Sequence, residues 1–147
     1  MAIDLHVHST FSDGSMSPTE LVQYARVKGL VALSITDHDT IDGTAEALAA
    51  GNRLEIEIVT GLELSIKHGD CSVHLLGYLF NPADQSLQQA LEILQTGRLE
   101  RNKIILATLN RLGINIALPQ LEKPFRHGQS GRPHIAQKKK KKGVVRN

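Results

Sequence analysis

Seven side chains in this sequence are of the types that coordinate metal ions, and each lies near a predicted strand end, a turn or an apolar flank. Imidazoles and carboxylates in mixture suit Zn, Mn or Fe rather than Mg or Ca alone. Two other histidines, His68 and His127, fall in hydrophilic loops and are predicted to be exposed. A single metal site explains the positions of the other five histidines better than five separate coincidences do. The predicted ligands are His6, His8, Asp13, His38, Glu63, His74 and His134.

A His-x-His pair begins the pattern. Residues i and i+2 of a β-strand face the same side, so His6 and His8 can bind one ion together. Such a pair alone is a weak indication of metal. Its position at a strand end, followed by Asp13 in a glycine-containing turn, strengthens the prediction.

The second cluster, Asp37-His38-Asp39, follows an apolar stretch and is far too polar for a core. It predicts the rim of a polar pocket, with His38 as the ligand and a flanking carboxylate that orients its ring. The alternative is a solvated loop in which Asp39 or Thr40 caps a helix.

The later candidates are each open to a second interpretation. Glu63 stands between leucines and must face solvent or be paired, because burying a bare carboxylate is costly; a bridge between two cations would satisfy it. His74 lies in an apolar strand, where a histidine is often an ordinary hydrogen-bonded core residue. His134 is on the first turn of a predicted helix, beside Arg132, which could contact a phosphate.

Strands and helices alternate to position these residues. Short joints between them predict parallel strands in an α/β fold, with the polar clusters at the carboxyl ends of strands. A Ser-Pro-Thr-Glu capping box predicts one helix start, and Asp84 is expected to cap a long helix that Gly113 ends. Strands are predicted at 2–7 (buried), 30–35 and 56–60, a helix at 44–50, a hairpin at 62–67 and 71–79, and a last helix from Pro133.

Composition describes an ordinary globular chain of 147 residues, 41% hydrophobic and 22% charged. No apolar run approaches the roughly 20 residues of a membrane span. No secretory signal opens the chain, and a single cysteine, Cys71, fits a reducing compartment, so a cytoplasmic location is predicted. Lys138 to Lys142 dominate the charge: removing these five from the net charge of +2 leaves −3. Charge alone therefore does not predict a nucleic-acid binder.

Four stretches together resemble the motifs of the PHP (polymerase and histidinol phosphatase) superfamily. The resemblance covers residues 1 to about 136, and it is strongest to small bacterial PHP phosphoesterases that act as 3′,5′-nucleoside bisphosphate phosphatases and 5′-to-3′ exoribonucleases. The stretches are Asp4 to Gly14, Ile35 to Thr40, Gly61-Leu62-Glu63 with His74 to Tyr78, and Gly131 to His134.

The resemblance implies a distorted (β/α)7 TIM-like barrel with up to three divalent ions, Mn, Fe or Zn. It places His6, His8 and Glu63 on one ion, Glu63, His74 and His134 on a second, and Asp13 and His38 on a third. The implied reaction is hydrolysis of nucleotide phosphate esters by hydroxide generated from a metal-bound water, with no protein nucleophile and with Arg132 as a phosphate contact. The implied partner is a nucleotide or short RNA, and neither a membrane nor stable duplex DNA is expected.

One departure from the family pattern shapes the expected domain organisation. The late Asp-x-His motif of the family does not follow His134, and a complete barrel needs about 250 residues. We therefore expect the N-terminal part of a PHP domain at 1–136, followed by an anomalous Lys-rich tail at 137–147. Three alternatives remain: a histidinol-phosphate phosphatase, a polymerase-associated PHP module and a non-catalytic metal-binding remnant.

Overall fold

The computed structural model describes residues 2–118 and 132–141. Strands and helices alternate at first, and a hairpin and two further helices follow. The elements are β1 (Ala2–Val7), α1 (Pro18–Val27), β2 (Leu30–Ile35), α2 (Thr44–Leu54), β3 (Glu57–Ile58), β4 (Gly61–His68), β5 (Cys71–Tyr78), α3 (Gln85–Arg111) and α4 (Arg132–Lys141).

The sheet arrangement confirms the α/β class and the parallel strands. β1, β2 and β3 form a parallel sheet in that order, and β4 and β5 form an antiparallel hairpin. A parallel bridge between His38 and Glu63 joins the segment after β2 to β4. Among the described residues the strands do not close into a barrel, so the predicted (β/α)7 arrangement stays a prediction.

Local signals place the starts of α1 and α3 as expected, whereas α2 extends to Leu54, beyond the predicted 44–50. The Ser17 side chain accepts a hydrogen bond from the Glu20 backbone, and the Glu20 side chain accepts one from the Ser17 backbone, which completes the capping box. Asp84 caps α3, which continues without interruption for 27 residues. Gly113 follows with φ of +80°, a conformation that glycine adopts at little cost. No helix in the described part of the chain is long and apolar enough to span a lipid bilayer.

Two apolar clusters hold the elements together. The first packs α1 and α2 against β2 and fixes the end of β2 from which the second polar cluster emerges. The second joins the end of α3 to α4. Their buried members are Val22, Ala25, Leu33, Ile35, Ala47, Ala50 and Ile56 in the first, and Leu106, Ile116 and Ile135 in the second.

Two strand predictions need correction. β1 has the predicted bounds but is not buried, and Ile3 remains 59% exposed. The reason is that the described elements cover only part of its apolar face, since Val7 is the one residue of β1 that packs against the first apolar cluster. The strand predicted at 56–60 is reduced to Glu57–Ile58, because only these residues pair with β2.

Candidate metal centre

The Glu63 carboxylate is the centre of the site. It is 3% exposed, and four imidazoles converge on it. Glu63 Oε2 lies 2.8 Å from His6 Nε2 and 3.2 Å from His8 Nε2. Glu63 Oε1 lies 3.7 Å from His38 Nδ1 and also contacts His74 Nδ1. The structure therefore brings together five of the seven predicted ligands around one buried carboxylate.

Strand geometry explains this convergence. His6 and His8 alternate with Val7 and emerge on one side of the end of β1. In the hairpin, Glu63 pairs with Leu76, so His74 lies two residues further along the same face of β5 and reaches Glu63 diagonally.

Asp13 adds a second carboxylate on the other side of His8. Its Oδ1 lies 3.7 Å from His8 Nδ1, and its Oδ2 lies 3.8 Å from His38 Nε2. The rings of His8 and His38 stack with centroids 4.7 Å apart. Gly14 allows the turn that carries Asp13 to lie this close to His8, because a Cβ at residue 14 would lie 2.0 Å from the His8 carbonyl oxygen. The turn can approach the end of β1 only with glycine at that position.

Three overlapping groups in this cluster have the spacing of metal ligands. Ligand atoms bound at about 2.1 Å in tetrahedral geometry are separated by roughly 3.4 Å. In each group the candidate ligand atoms all lie within 4.8 Å of one another. The groups are His6, His8 and Glu63; His8, Asp13 and His38; and His38, Glu63 and His74.

Two features of the polar atoms fit a bound cation. His38 Nδ1 is buried with no hydrogen-bond partner among the described residues, a costly state for a polar atom that a cation in the cluster would relieve. The Ser12 hydroxyl donates to Asp37 Oδ1 at 2.5 Å, so toward His8 Nδ1, 3.4 Å away, it can only accept. Ser12 and the nearby Asp13 carboxylate thus favour a proton on His8 Nδ1. His8 Nε2 then directs a lone pair toward the Glu63 carboxylate, an arrangement that a cation between them would stabilise.

The electrostatics of the cluster favour the ligating protonation states. Burial is the largest influence on Glu63 and raises its pKa, but contacts with His6 and His74 and the charges of His38 and His8 together bring the pKa below its ordinary value. Burial lowers the pKa of His38, although the charges of Glu63 and Asp13 oppose this. An ionised carboxylate and a neutral imidazole are the forms that bind metal.

His134 is placed differently from the other six predicted ligands. It is buried, at 3% exposure, but joins none of the three groups. Burial lowers its pKa; the charge of Asp13 opposes this effect and the charge of Arg98 adds to it. The side chain of Arg132 and the whole of His127 lie outside the described residues. His68 is exposed, as predicted.

The polar segment after β2 corrects a further prediction. Thr36, Asp37, Asp39 and Thr40 are buried, although the sequence was too polar to predict a core. Asp37 accepts hydrogen bonds from the Ser9 backbone at 2.8 Å, the Ser9 hydroxyl at 2.5 Å and the Ser12 hydroxyl. The Asp37 carboxylate therefore anchors the turn that carries Asp13. It does not orient the His38 ring, although the sequence predicted that role for a carboxylate flanking His38.

Arg98 is a residue near the site that sequence analysis missed. It forms a buried ion pair with Asp39, which is therefore neither solvated nor a helix cap. The two residues are 59 positions apart, and no local pattern connects them.

The sequence of this chain is similar to those of known proteins of one family. Residues 4–141 match the model of the PHP domain family. The chain is 41% identical over 112 residues to a 3′,5′-nucleoside bisphosphate phosphatase of Chromobacterium violaceum, an alignment that covers 76% of this chain and 39% of that protein. It is 36% identical over 144 residues to a 5′-3′ exoribonuclease of Haemophilus influenzae, covering 98% of this chain and 52% of that protein.

A solved structure is similar to this chain in both fold and sequence. A Bifidobacterium adolescentis protein described as a metal-dependent phosphoesterase superposes with a TM-score of 0.90 at 31% identity, covering 97% of this chain and 51% of the other. The chain spans about half the length, or less, of these relatives. The family resemblance predicted from the four motifs is confirmed, and the chain belongs to the PHP domain family.

Proposed function

We propose that this chain binds divalent metal ions around Glu63 and contributes them to the hydrolysis of phosphate esters. The observation that carries the proposal is the convergence of four imidazoles on one buried carboxylate. Divalent ions bound there would supply positive charge to polarise a phosphoryl group and to acidify a coordinated water.

Each ligand group has a distinct part in this proposal. His6 and His8 would hold one ion with Glu63 Oε2, because the Nδ1 proton of His8 leaves its Nε2 as the ligating atom. His74 would share a second ion with Glu63 Oε1.

Asp13 and His38 would hold the third ion of the proposed set, on the other side of His8. His134 is outside the three groups, and it stays a proposed ligand of the second ion, together with Glu63 and His74. Arg132 stays a proposed phosphate contact.

The proposed substrates are nucleoside 3′,5′-bisphosphates or short 5′-phosphorylated RNA. The support is the function of two relatives, a nucleoside bisphosphate phosphatase and a 5′-3′ exoribonuclease. The chain spans 39% and 52% of the lengths of these two relatives, so their substrates come to this chain as a proposal.

The test compares three substrates with the same metal-loaded protein. Phosphate or nucleotide release from adenosine 3′,5′-bisphosphate and from a 5′-phosphorylated oligoribonucleotide should exceed release from histidinol phosphate. EDTA and the Glu63→Gln substitution should abolish the release, and His68→Gln, at an exposed histidine, should not. Faster hydrolysis of histidinol phosphate would contradict the substrate class. Metal binding without hydrolysis of any of the three would support the non-catalytic alternative.

A further inference from the structure

Asp39 has a backbone conformation that the surrounding structure must hold in place. Its φ is +55°, in the left-handed region that non-glycine residues adopt infrequently, although aspartate is among the more tolerant. The residue is 2% exposed and immediately follows the candidate ligand His38. Unusual backbone conformations of this kind persist only where many contacts determine them.

Side chains of α3 supply several of those contacts. Arg98 donates to Asp39 Oδ2 through Nε at 3.1 Å and through one Nη, and the same Nη donates to Ser65 Oγ at 2.8 Å. Gln95, one helical turn earlier, donates from Nε2 to the Asp39 carbonyl oxygen at 3.0 Å. The Ser65 backbone N–H donates to Asp39 Oδ1 at 2.7 Å. Both oxygens of the carboxylate and the backbone carbonyl are therefore bound.

These contacts continue directly into the ligand groups. The Asp39 N–H donates to the Glu63 carbonyl oxygen at 2.9 Å, and the Glu63 N–H donates to the Asp37 carbonyl oxygen at 3.2 Å. The two bonds enclose the backbone of His38, whose Nδ1 lies 3.7 Å from Glu63 Oε1. Ser65, which Arg98 also holds, pairs across the hairpin with His74. Arg98 and Gln95 thus act on all three members of the group His38, Glu63 and His74.

Stability alone is a weak explanation for this arrangement. A buried ion pair frequently contributes no more than apolar residues of the same volume, because both charges lose their hydration. The fork of an arginine, in contrast, fixes the direction of its partner, which a packed apolar side chain cannot do.

We propose that Arg98 and Gln95 are positioning residues, which hold Asp39 in its left-handed conformation and thereby set the spacing of the metal ligands His38, Glu63 and His74. This inference rests on the proposed function, since it assumes that those residues bind metal. Neither residue is proposed to touch metal or substrate.

The experiment measures metal binding by the 147-residue chain without reference to catalysis. Wild type, Arg98→Met, Arg98→Lys and Gln95→Met are titrated with Mn²⁺ by calorimetry and with Co²⁺ by visible absorption, which reports ligand geometry. The matched control is Lys103→Met, which breaks the exposed Lys103–Glu100 ion pair of the same helix. The melting temperature of each metal-free protein is recorded, so that only folded protein is compared.

Arg98→Met should weaken Mn²⁺ binding by about 10- to 100-fold, the usual effect of losing a residue that orients metal ligands, and should change the Co²⁺ spectrum. Arg98→Lys should recover part of the affinity, because its charge can reach Asp39 but cannot also hold Ser65. Gln95→Met should lose less Mn²⁺ affinity, because the Arg98–Asp39 ion pair stays intact. If Arg98→Met does not fold, the Gln95→Met result tests the inference. Lys103→Met should match wild type.

Unchanged affinity and an unchanged Co²⁺ spectrum in the folded Arg98 and Gln95 variants would overturn the inference, even if their melting temperatures fall. An equal loss in Lys103→Met would also overturn it. These results leave the proposed function standing, since wild type still binds metal. A wild type that binds neither ion overturns the proposed metal site and this inference together.

Discussion

Asp37 offers a sharp test of how the site is built, because its carboxylate is the anchor of the turn that carries Asp13. We predict that Asp37→Ala destabilises the metal-free protein by about 3–5 kcal/mol. Three hydrogen bonds to the charged carboxylate are lost, each worth about 1.5–3 kcal/mol. The total falls below their sum because the Ser9 and Ser12 hydroxyls can rotate toward other acceptors, whereas the buried Ser9 N–H cannot.

Asp37→Asn removes the charge of the side chain but keeps its shape. The amide keeps one acceptor oxygen, and the Ser9 hydroxyl can rotate to accept from the new NH2 group, so we expect a loss of about 1–2 kcal/mol. Asp70→Ala is the matched control, since Asp70 is exposed in the hairpin turn and should change stability by less than about 0.5 kcal/mol.

The assay is urea unfolding in EDTA, followed by Mn²⁺ titration of the folded variants. A domain of ordinary stability, about 5–15 kcal/mol, leaves the Asp37→Ala protein measurable but weakened. Its affinity for the ion assigned to Asp13 and His38 should fall more than its affinity for the ion assigned to His6. A loss below about 1 kcal/mol in Asp37→Ala, or uniform weakening of all ions, would refute the reasoning.

Three further predictions concern the same cluster. Gly14→Ala should lower both the melting temperature and Mn²⁺ stoichiometry, because its Cβ would lie 2.0 Å from the His8 carbonyl oxygen; wild-type values in both measurements would contradict the assigned turn geometry. Ser12→Ala should shift the His8 proton from Nδ1 toward Nε2 in ¹⁵N-histidine NMR spectra of the metal-free protein, and Ser12→Thr should keep it on Nδ1; identical spectra for the two variants would exclude the role of the hydroxyl. Burial keeps the pKa of His38 and of His134 below the ordinary value near 6.5, so the unfolded chain takes up protons first as pH falls. Stability of the metal-free protein should therefore be complete above pH 6.5 and decline below it, with a shallower decline in His38→Gln, and equal urea midpoints at pH 7 and pH 5.5 would contradict the effect.

Features with a local cause could be predicted from the sequence. The capping box at Ser17 and the hairpin around Gly69 depend on residues within a few positions of each other. The metal-ligand candidates could also be identified, because histidines and carboxylates at strand ends are visible in the alternation of apolar and polar residues. Parallel pairing of β1 with β2 then brings their carboxyl ends together.

Features that depend on distant partners could not be predicted. The segment containing Asp37 and Asp39 is too polar for a core unless its partners are known, and these are serines 25 and 28 positions before Asp37 and an arginine 59 positions after Asp39. Burial of β1 was wrongly predicted for a similar reason. Apolar alternation shows that a strand has an inner face, but the neighbouring elements decide whether that face is covered.

The central claim is that Glu63 organises a cluster that binds several divalent ions, and metal content tests it most directly. Wild type, Glu63→Gln and His68→Gln should be purified in excess Mn²⁺, desalted and measured by elemental analysis. We predict more than one ion per chain in wild type and in His68→Gln, and a loss of at least one ion in Glu63→Gln, since Glu63 contacts four imidazoles. Less than one ion per chain in wild type, or equal content in all three proteins, would contradict the account.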